Sequence, residues 1–281
     1  MRALVRSASS PGGEIGSTST GPSREVAQLQ SLTGKRALVT GAAAGIGRAT
    51  VTALARAGAT LILVDVDKKG AAALAGGLEA PGARAMVACG SAADPDAAGR
   101  AFALADSAFG GIDILVNNAG ITGNCAALEL DLETWNRVWS TNVTGSFLCA
   151  QAAGRRMKER GGVIINLASI YGLVAAPNRV AYAASKAAIV MMTKALAVEW
   201  ASAGIRVNCI APGYVETPGT AELADSGTID LAALRKRTPQ GRLAHPEDIA
   251  EAILALCQDG LSHVTGQVIA VDGGWTAYGY L

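Results

Sequence analysis

The chain has 281 residues, half of them apolar, with 24 basic and 23 acidic side chains and a formal net charge of +1. That length can bury a large core as one α/β domain, and the balanced charge supplies no basic surface for nucleic acid. No uninterrupted apolar run reaches the roughly eighteen residues of a membrane span. The five cysteines (Cys89, Cys125, Cys149, Cys209, Cys257) are scattered and there are only two histidines, so no metal site is expected and reduced core thiols in a cytoplasmic protein are.

Residues 1–30 are rich in Ser, Gly and Pro and are read as a flexible extension that buries too little apolar surface to fold alone. Residues 1–6 carry positive charge but lack the apolar stretch of a secretory signal. Residues 31–281 are expected to form a single domain. Its first strand, 35–40, leads into Gly41-Ala42-Ala43-Ala44-Gly45-Ile46-Gly47 and an alanine-rich helical segment ending near Gly58. Glycines let a backbone approach a pyrophosphate closely, and the free N–H groups and dipole of the helix start favour its charge. The spacing is GxxxGxG, not the GxGxxG of the common dinucleotide fingerprint. A second apolar run, 61–64, ends in Asp65, where a carboxylate can accept from the ribose hydroxyls of NAD and repel the extra phosphate of NADP. The alternative for Asp65 is a cap on the next helix.

Further strand-like runs at 83–89, 112–117, 163–167, 205–210 and 267–271 alternate with helical segments. This predicts an α/β fold with a doubly wound parallel sheet and helices on both faces. Arg155-Arg156-Met157-Lys158-Glu159-Arg160 reads as the solvated end of a long helix spanning about 132–160. Ser169 precedes Tyr182 by thirteen residues, and Lys186 follows one helical turn later. On a helix, i and i+4 share a face, which stacks an ammonium beside a phenol. Lowering a tyrosine pKa from about 10 to about 7 takes roughly 4 kcal/mol of differential stabilisation and would let it exchange protons near neutrality. His245, before Pro246-Glu247-Asp248, reads as a cap or surface group.

TGAAAGIG (Thr40 to Gly47), NNAG (Asn117 to Gly120), Asn142, Ser169, YAASK (Tyr182 to Lys186) and APGYVETP (Ala211 to Pro218) together resemble the short-chain dehydrogenase/reductase family over about residues 32–275. The resemblance implies a Rossmann-like sheet of seven strands in the order 3-2-1-4-5-6-7 and a nicotinamide cofactor. It makes Tyr182 the general acid/base, Ser169 the holder of the substrate oxygen, and Lys186 the group that lowers the tyrosine pKa and binds the nicotinamide ribose. Asn142 would organise a water that relays protons. Asn118, Ala119 and Gly120 would lie by the cofactor ribose, and Pro212, Gly213, Val215 and Thr217 would hold the carboxamide. Where the family usually places an aspartate beside the adenine amine, this chain aligns Ser91, or Gly90 after a shift of one residue.

The resemblance puts a lid after the Pro212-Gly213 turn, at about 214–240, and the mixed composition there suggests mobility. Tyr171, Asn178, Arg179, Tyr214 and Glu216 flank the catalytic positions as candidate substrate contacts, while Leu173, Val174, Ile121 and Tyr214 would suit an apolar slot. The expected function is an NAD(H)-dependent oxidoreductase acting on a secondary alcohol, a sugar or polyol being favoured. Alternatives are a reductase of apolar cyclic or aromatic ketones, a lyase or epimerase using tightly bound NAD, and a non-catalytic nucleotide sensor. Helical segments carrying Trp135, Trp139, Val190, Met191 and Trp200 on more than one face suggest subunit contacts, and the family supplies the number four, a homotetramer.

Overall fold

Branched and leucine-rich runs bounded by glycine build the sheet. Its strands are β1 (Arg36–Thr40), β2 (Thr60–Asp65), β3 (Ala85–Cys89), β4 (Ile114–Asn117), β5 (Gly162–Leu167), β6 (Ile205–Pro212) and β7 (Val268–Val271). All pair in parallel, in the order β3-β2-β1-β4-β5-β6-β7. This is the expected Rossmann-like architecture. The computed structural model describes residues 31–80 and 83–279, so the expected extension over 1–30 lies outside the described residues.

Alternation along each strand sends successive side chains to opposite faces. On one face, Ala37, Val39, Leu61, Leu63, Val116 and Ile165 pack with Val51 and Leu54 of α1 (Gly45–Arg56), Leu74 of α2 (Lys68–Gly76), and Ile249 and Ile253 of α9 (Pro246–Cys257). On the other, Leu38, Ile62, Leu115, Ile164 and Val207 meet Phe102 of α3 (Pro95–Phe109), Met157 of α5 (Gly145–Met157) and Leu196 of α6 (Val180–Trp200). Both faces are covered, which is why the central strands read as near-continuous apolar runs.

The helix expected over 132–160 is interrupted. α4 (Leu132–Trp139) passes into a π turn at Ser140–Thr144 before α5 begins. Such turns insert one residue into a helix and re-aim a side chain; here the buried residue of the turn is Asn142. The segment expected as a lid carries two short helices, α7 (Pro218–Asp225), capped by Thr217, and α8 (Leu231–Arg237), capped by Asp230.

Trp200 packs its ring on Gly154 and Val190 lies against the core, each half-buried. Two further expectations change. Cys149, Cys209 and Cys257 are core thiols, but Cys89 is exposed and Cys125 half-buried. Val180–Ala203 is long and apolar enough by length and composition to cross a membrane, yet here it lies on the sheet with Lys186, Thr193 and Leu196 buried.

Candidate active site

The carboxyl ends of the strands bring the sequence motifs to one edge. Between β1 and β4 the strand order reverses, and the crevice there is closed by side chains. The Thr40 hydroxyl accepts from the backbone N–H of both Asn118 and Ala119, each at 3.1 Å. The Asn118 amide donates back to the carbonyls of Thr40 (3.0 Å) and Gly41 (2.9 Å). Gly47 sits so close to this join that a Cβ would fall 1.9 Å from the Gly41 oxygen, and Gly41 itself has φ +63°. Gly45, at φ +51°, faces the Thr217 methyl. The N-terminus of α1 follows Ala44, which offers no side-chain cap, so its N–H groups have no side-chain acceptor there.

Asp65 does not cap the next helix; Asp67 does, accepting from Gly70 N–H at 3.0 Å. Asp65 braces the glycine turn, one oxygen accepting from Ala43 N–H (2.8 Å) and the other from Asp67 N–H (2.9 Å). Each oxygen keeps a second lone pair for a ligand hydroxyl. The Ser91 hydroxyl accepts from Ala93 N–H at 3.2 Å, and the adjacent Gly90 has φ +152° with Ala97 against it, where no side chain fits.

Ser169 follows β5 in extended backbone, and its hydroxyl accepts from Tyr171 N–H at 3.1 Å, which leaves its proton available to donate. α6 presents Tyr182 and Lys186 on one face. The Lys186 ammonium lies 5.7 Å from the Tyr182 ring centroid and donates to the Leu167 carbonyl at 2.7 Å. Burial pushes the Tyr182 phenol above its ordinary value, opposed by its hydrogen bond with Ser169 and by the positive charge of Arg179. The ammonium thus lies over the ring, and in this geometry burial outweighs the groups that favour the phenolate. Asn142, in the π turn, donates its amide to the Ile121 carbonyl (3.0 Å) and Ser185 hydroxyl (2.9 Å) and accepts from Ile121 N–H (2.8 Å). A Cβ on Gly120 would come within 3.2 Å of Asn142 Oδ1 and 3.4 Å of Lys186 Nζ, so backbone, lysine and asparagine meet there.

These groups open on a cavity of ≈ 220 Å³. Its walls include Ile46, Asn118 and Gly120 on one side, Ser169, Tyr182 and Lys186 at the centre, and Pro212, Gly213, Val215 and Thr217 beyond. Of the candidate substrate contacts, Tyr171, Arg179, Tyr214 and Ile121 line it. Tyr171 and Tyr214 join hydroxyl to hydroxyl at 2.7 Å, and burial raises the Tyr171 pKa. Four candidates, Asn178, Leu173, Val174 and Glu216, are not part of the cavity lining. Asn178 is exposed at φ +60°, Leu173 and Val174 are exposed, and Glu216 ion-pairs with Arg235 (3.3 Å) and lies 3.4 Å from His245 Nδ1. His245 caps α9, its N–H donating to Asp248. Thr122, Thr220 and Leu223 also line the cavity, and Asn124 holds Arg179. Nothing local in the sequence marks them, because they arrive from a loop and from α7 by tertiary folding.

A family model described as enoyl-(acyl carrier protein) reductase matches residues 41–276. The chain is 44% identical over 243 residues to cis-4-hydroxycyclohexanecarboxylate dehydrogenase of Sinomonas cyclohexanicum, covering 86% of this chain and 96% of that one. The chain belongs to the short-chain dehydrogenase/reductase family. Within this family it is 43% identical over 247 residues to D-threitol dehydrogenase of Mycolicibacterium smegmatis, covering 87% and 94% of the two chains. The crystal structure of a short-chain type dehydrogenase/reductase from Mycobacterium marinum superposes with a TM-score of 0.85 at 38% identity, over 90% of this chain and 100% of that one. The family's oxidoreductases use a nicotinamide dinucleotide, and the residues present fit one: the close-packed glycine turn, the α1 start without a side-chain cap, and the half-buried Asp65 carboxylate lie in sequence along the strand ends.

Lys186 is buried without a carboxylate partner among the described residues, and burial pushes its pKa down from 10.5 to about 8. The unfolded chain therefore binds the proton more tightly. The fold carries the full cost of the buried ammonium below pH 8, about 3 kcal/mol, and that cost is relieved as pH rises from 8 towards 10.5. Lys186→Met should raise Tm by roughly 5 °C at pH 7, after loss of the Leu167 hydrogen bond, with the gap narrowing by pH 10. Thermal unfolding at the two pH values reads this, and a variant less stable than the parent at pH 7 would contradict it.

Proposed function

We propose that the protein is an NAD(H)-dependent oxidoreductase transferring hydride between a small polar secondary alcohol and the corresponding ketone, with sugars and polyols the favoured class. The observation that carries this reading is the convergence of Ser169, Tyr182 and Lys186 on one cavity of ≈ 220 Å³ whose far wall is the Pro212-Gly213 turn and Thr217. Ligand pockets commonly run from about 300 to 1,000 Å³. A cavity this small, shared with a nicotinamide ring, suits a short substrate better than a steroid or a long acyl chain.

A bound nicotinamide would take up the carbinol hydride in oxidation and return it in reduction. Ser169 would turn its hydroxyl proton from the Tyr182 phenol to the substrate oxygen, and Tyr182 would take the hydroxyl proton in oxidation and supply it in reduction. Lys186 would bind the ribose and hold positive charge beside the phenol, and Asn142 would organise a water through which Lys186 exchanges protons with solvent. The exposed lining is mostly apolar, and the polar groups set into it, Thr122, Tyr171, Arg179 and Thr220, would bond the hydroxyls of a substrate. A second reading, a cyclic secondary alcohol, is favoured by Ile121 and Leu223 on the same wall and by the relative named for a hydroxycyclohexane acid. The free thiols of Cys89 and Cys125 suit a reducing cytoplasm.

Tyr182→Phe should lower kcat by about 10²–10⁴-fold while cofactor still binds, the usual worth of a positioned acid/base. Turnover near the parent level, measured on any alcohol the parent oxidises, would remove Tyr182 from the mechanism.

For the cofactor, Asp65 would face ribose hydroxyls or a phosphate; Arg48, in a groove with Glu247 and Glu251, and the exposed Lys68 and Lys69 are the cations that could offset its charge. NAD(H) should be preferred over NADP(H) by at least about tenfold in kcat/KM, since charge repulsion and lost hydrogen bonds readily exceed 1.4 kcal/mol. A preference for NADP(H) means that Asp65 does not select the cofactor.

The assembly we expect is a homotetramer. Leu132, Phe147, Met191 and Val198 are exposed on α4, α5 and α6, and the half-buried Trp135 and Trp139 stack at 5.6 Å beside them. Light scattering at micromolar concentration should give four times the chain mass of 28.3 kDa, and a monomer mass would refute it.

A further inference from the structure

We propose that Arg179 is the receptor for a carboxylate on the substrate, so that the alcohol turned over here is a hydroxy acid. This inference rests on the oxidoreductase reading and narrows its substrate class. Arg179 is only 8% exposed and lines the cavity that contains Ser169 and Tyr182. No Asp or Glu pairs with it among the described residues; the ion pairs they form elsewhere involve other side chains. Among the described residues its one hydrogen-bond acceptor is Asn124 Oδ1, reached through Nη1. A guanidinium offers five N–H donors in a planar fork, so most of its capacity is unused. A guanidinium on a cavity wall with donors unused can take an arriving carboxylate by charge-assisted hydrogen bonds.

The fork is held rigidly. Asn178 is the one non-glycine residue with positive φ among the described residues, at 60°, and it turns the chain so that Arg179 enters the cavity just before α6. The Asn178 carbonyl accepts from Cys125 N–H at 3.1 Å, and Asn124 beside it takes the guanidinium. The Tyr171 ring lies 5.7 Å below the guanidinium carbon. With one nitrogen tied and one face covered, the remaining edge suits the two-point bonding of a carboxylate. Arg179 and Tyr182 line the same cavity, so an anion bound at the guanidinium would share that cavity with the Tyr182 hydroxyl.

The direct test compares hydroxy acids, cyclic and open-chain, with their primary amides on the full chain with NAD⁺. The parent should favour each acid over its amide by at least about 100-fold in kcat/KM, since a site built to bond a group discriminates strongly against analogues lacking it. Arg179→Gln should lose at least about tenfold more in kcat/KM on the acids than on the amides, and Arg179→Lys should restore part of that difference. Calorimetry supplies a readout that needs no turnover: cyclohexanecarboxylate should bind the NAD⁺-loaded parent but not Arg179→Gln, and cyclohexanecarboxamide should bind neither more tightly. Alcohol oxidation with equal kcat/KM for acids and amides overturns the inference and leaves the oxidoreductase reading standing. Arginine-dependent carboxylate binding with no alcohol turned over does the reverse. An Arg179→Gln variant that loses acids and amides equally, with its rate profile moved to higher pH, assigns Arg179 to the Tyr182 phenol and also overturns the inference. The acid and amide comparison on the parent decides the matter even if the variant does not fold.

Discussion

The join between the ends of β1 and β4 is the constraint on which the rest of the site depends. At this point the strand order reverses and the chain leaves the two strands toward opposite sides, so the ladder itself cannot hold the edge together. Four hydrogen bonds among Thr40, Gly41, Asn118 and Ala119 hold it instead, each worth about 1 kcal/mol net but costly to leave unmade. The close approach they enforce is what excludes a side chain at Gly47 and opens α1 toward the crevice. Further along the edge the same logic recurs: the Asn117 amide bonds the Asn166 oxygen across β4 and β5, and Asn166 passes on to Thr193 of α6. Buried amides on neighbouring strands thus fix the register that carries Ser169 and Lys186 toward each other.

The site keeps two cations under cover. Lys186 has a backbone carbonyl for company and Arg179 an amide oxygen, and neither has a carboxylate among the described residues. By contrast Arg36, at the far end of β1, is matched to Asp113 in a two-point ion pair that ties the start of β1 to the start of β4. The matched pair serves the fold. The unmatched cations cost stability in the free protein and are useful only where a ligand brings negative charge or a proton must move, which is how functional sites commonly depart from what stability alone would choose.

Much of this was legible residue by residue. The alternation of apolar runs with helical segments predicted the parallel sheet, and Tyr182 and Lys186 four apart predicted a shared helix face. The π turn at Ser140–Thr144 was not legible, since nothing in STNVT distinguishes it from an ordinary helix; it forms where Asn142 is drawn to Ile121 and Ser185. Asn178 and Glu216 read as polar pocket residues from their neighbours in sequence, yet one occupies a left-handed turn in solvent and the other is captured by Arg235 and His245. Proximity along the chain to a catalytic residue does not decide which way a loop side chain points.

By itself the sequence determined what depends on local spacing: the period of the strands, the glycines that permit a close turn, the serine, tyrosine and lysine at separations that one strand end and one helix can use. Hydrophobic periodicity and backbone sterics act over a few residues, so they are written in the order of the chain. The tertiary structure alone decided which side chains share the cavity, because that depends on where separate segments stop against one another. Arg179 shows the difference. In sequence it is one basic residue three positions before a tyrosine, and only the packing of Asn124 and Tyr171 around it makes it a buried cation on the cavity wall without a carboxylate partner among the described residues.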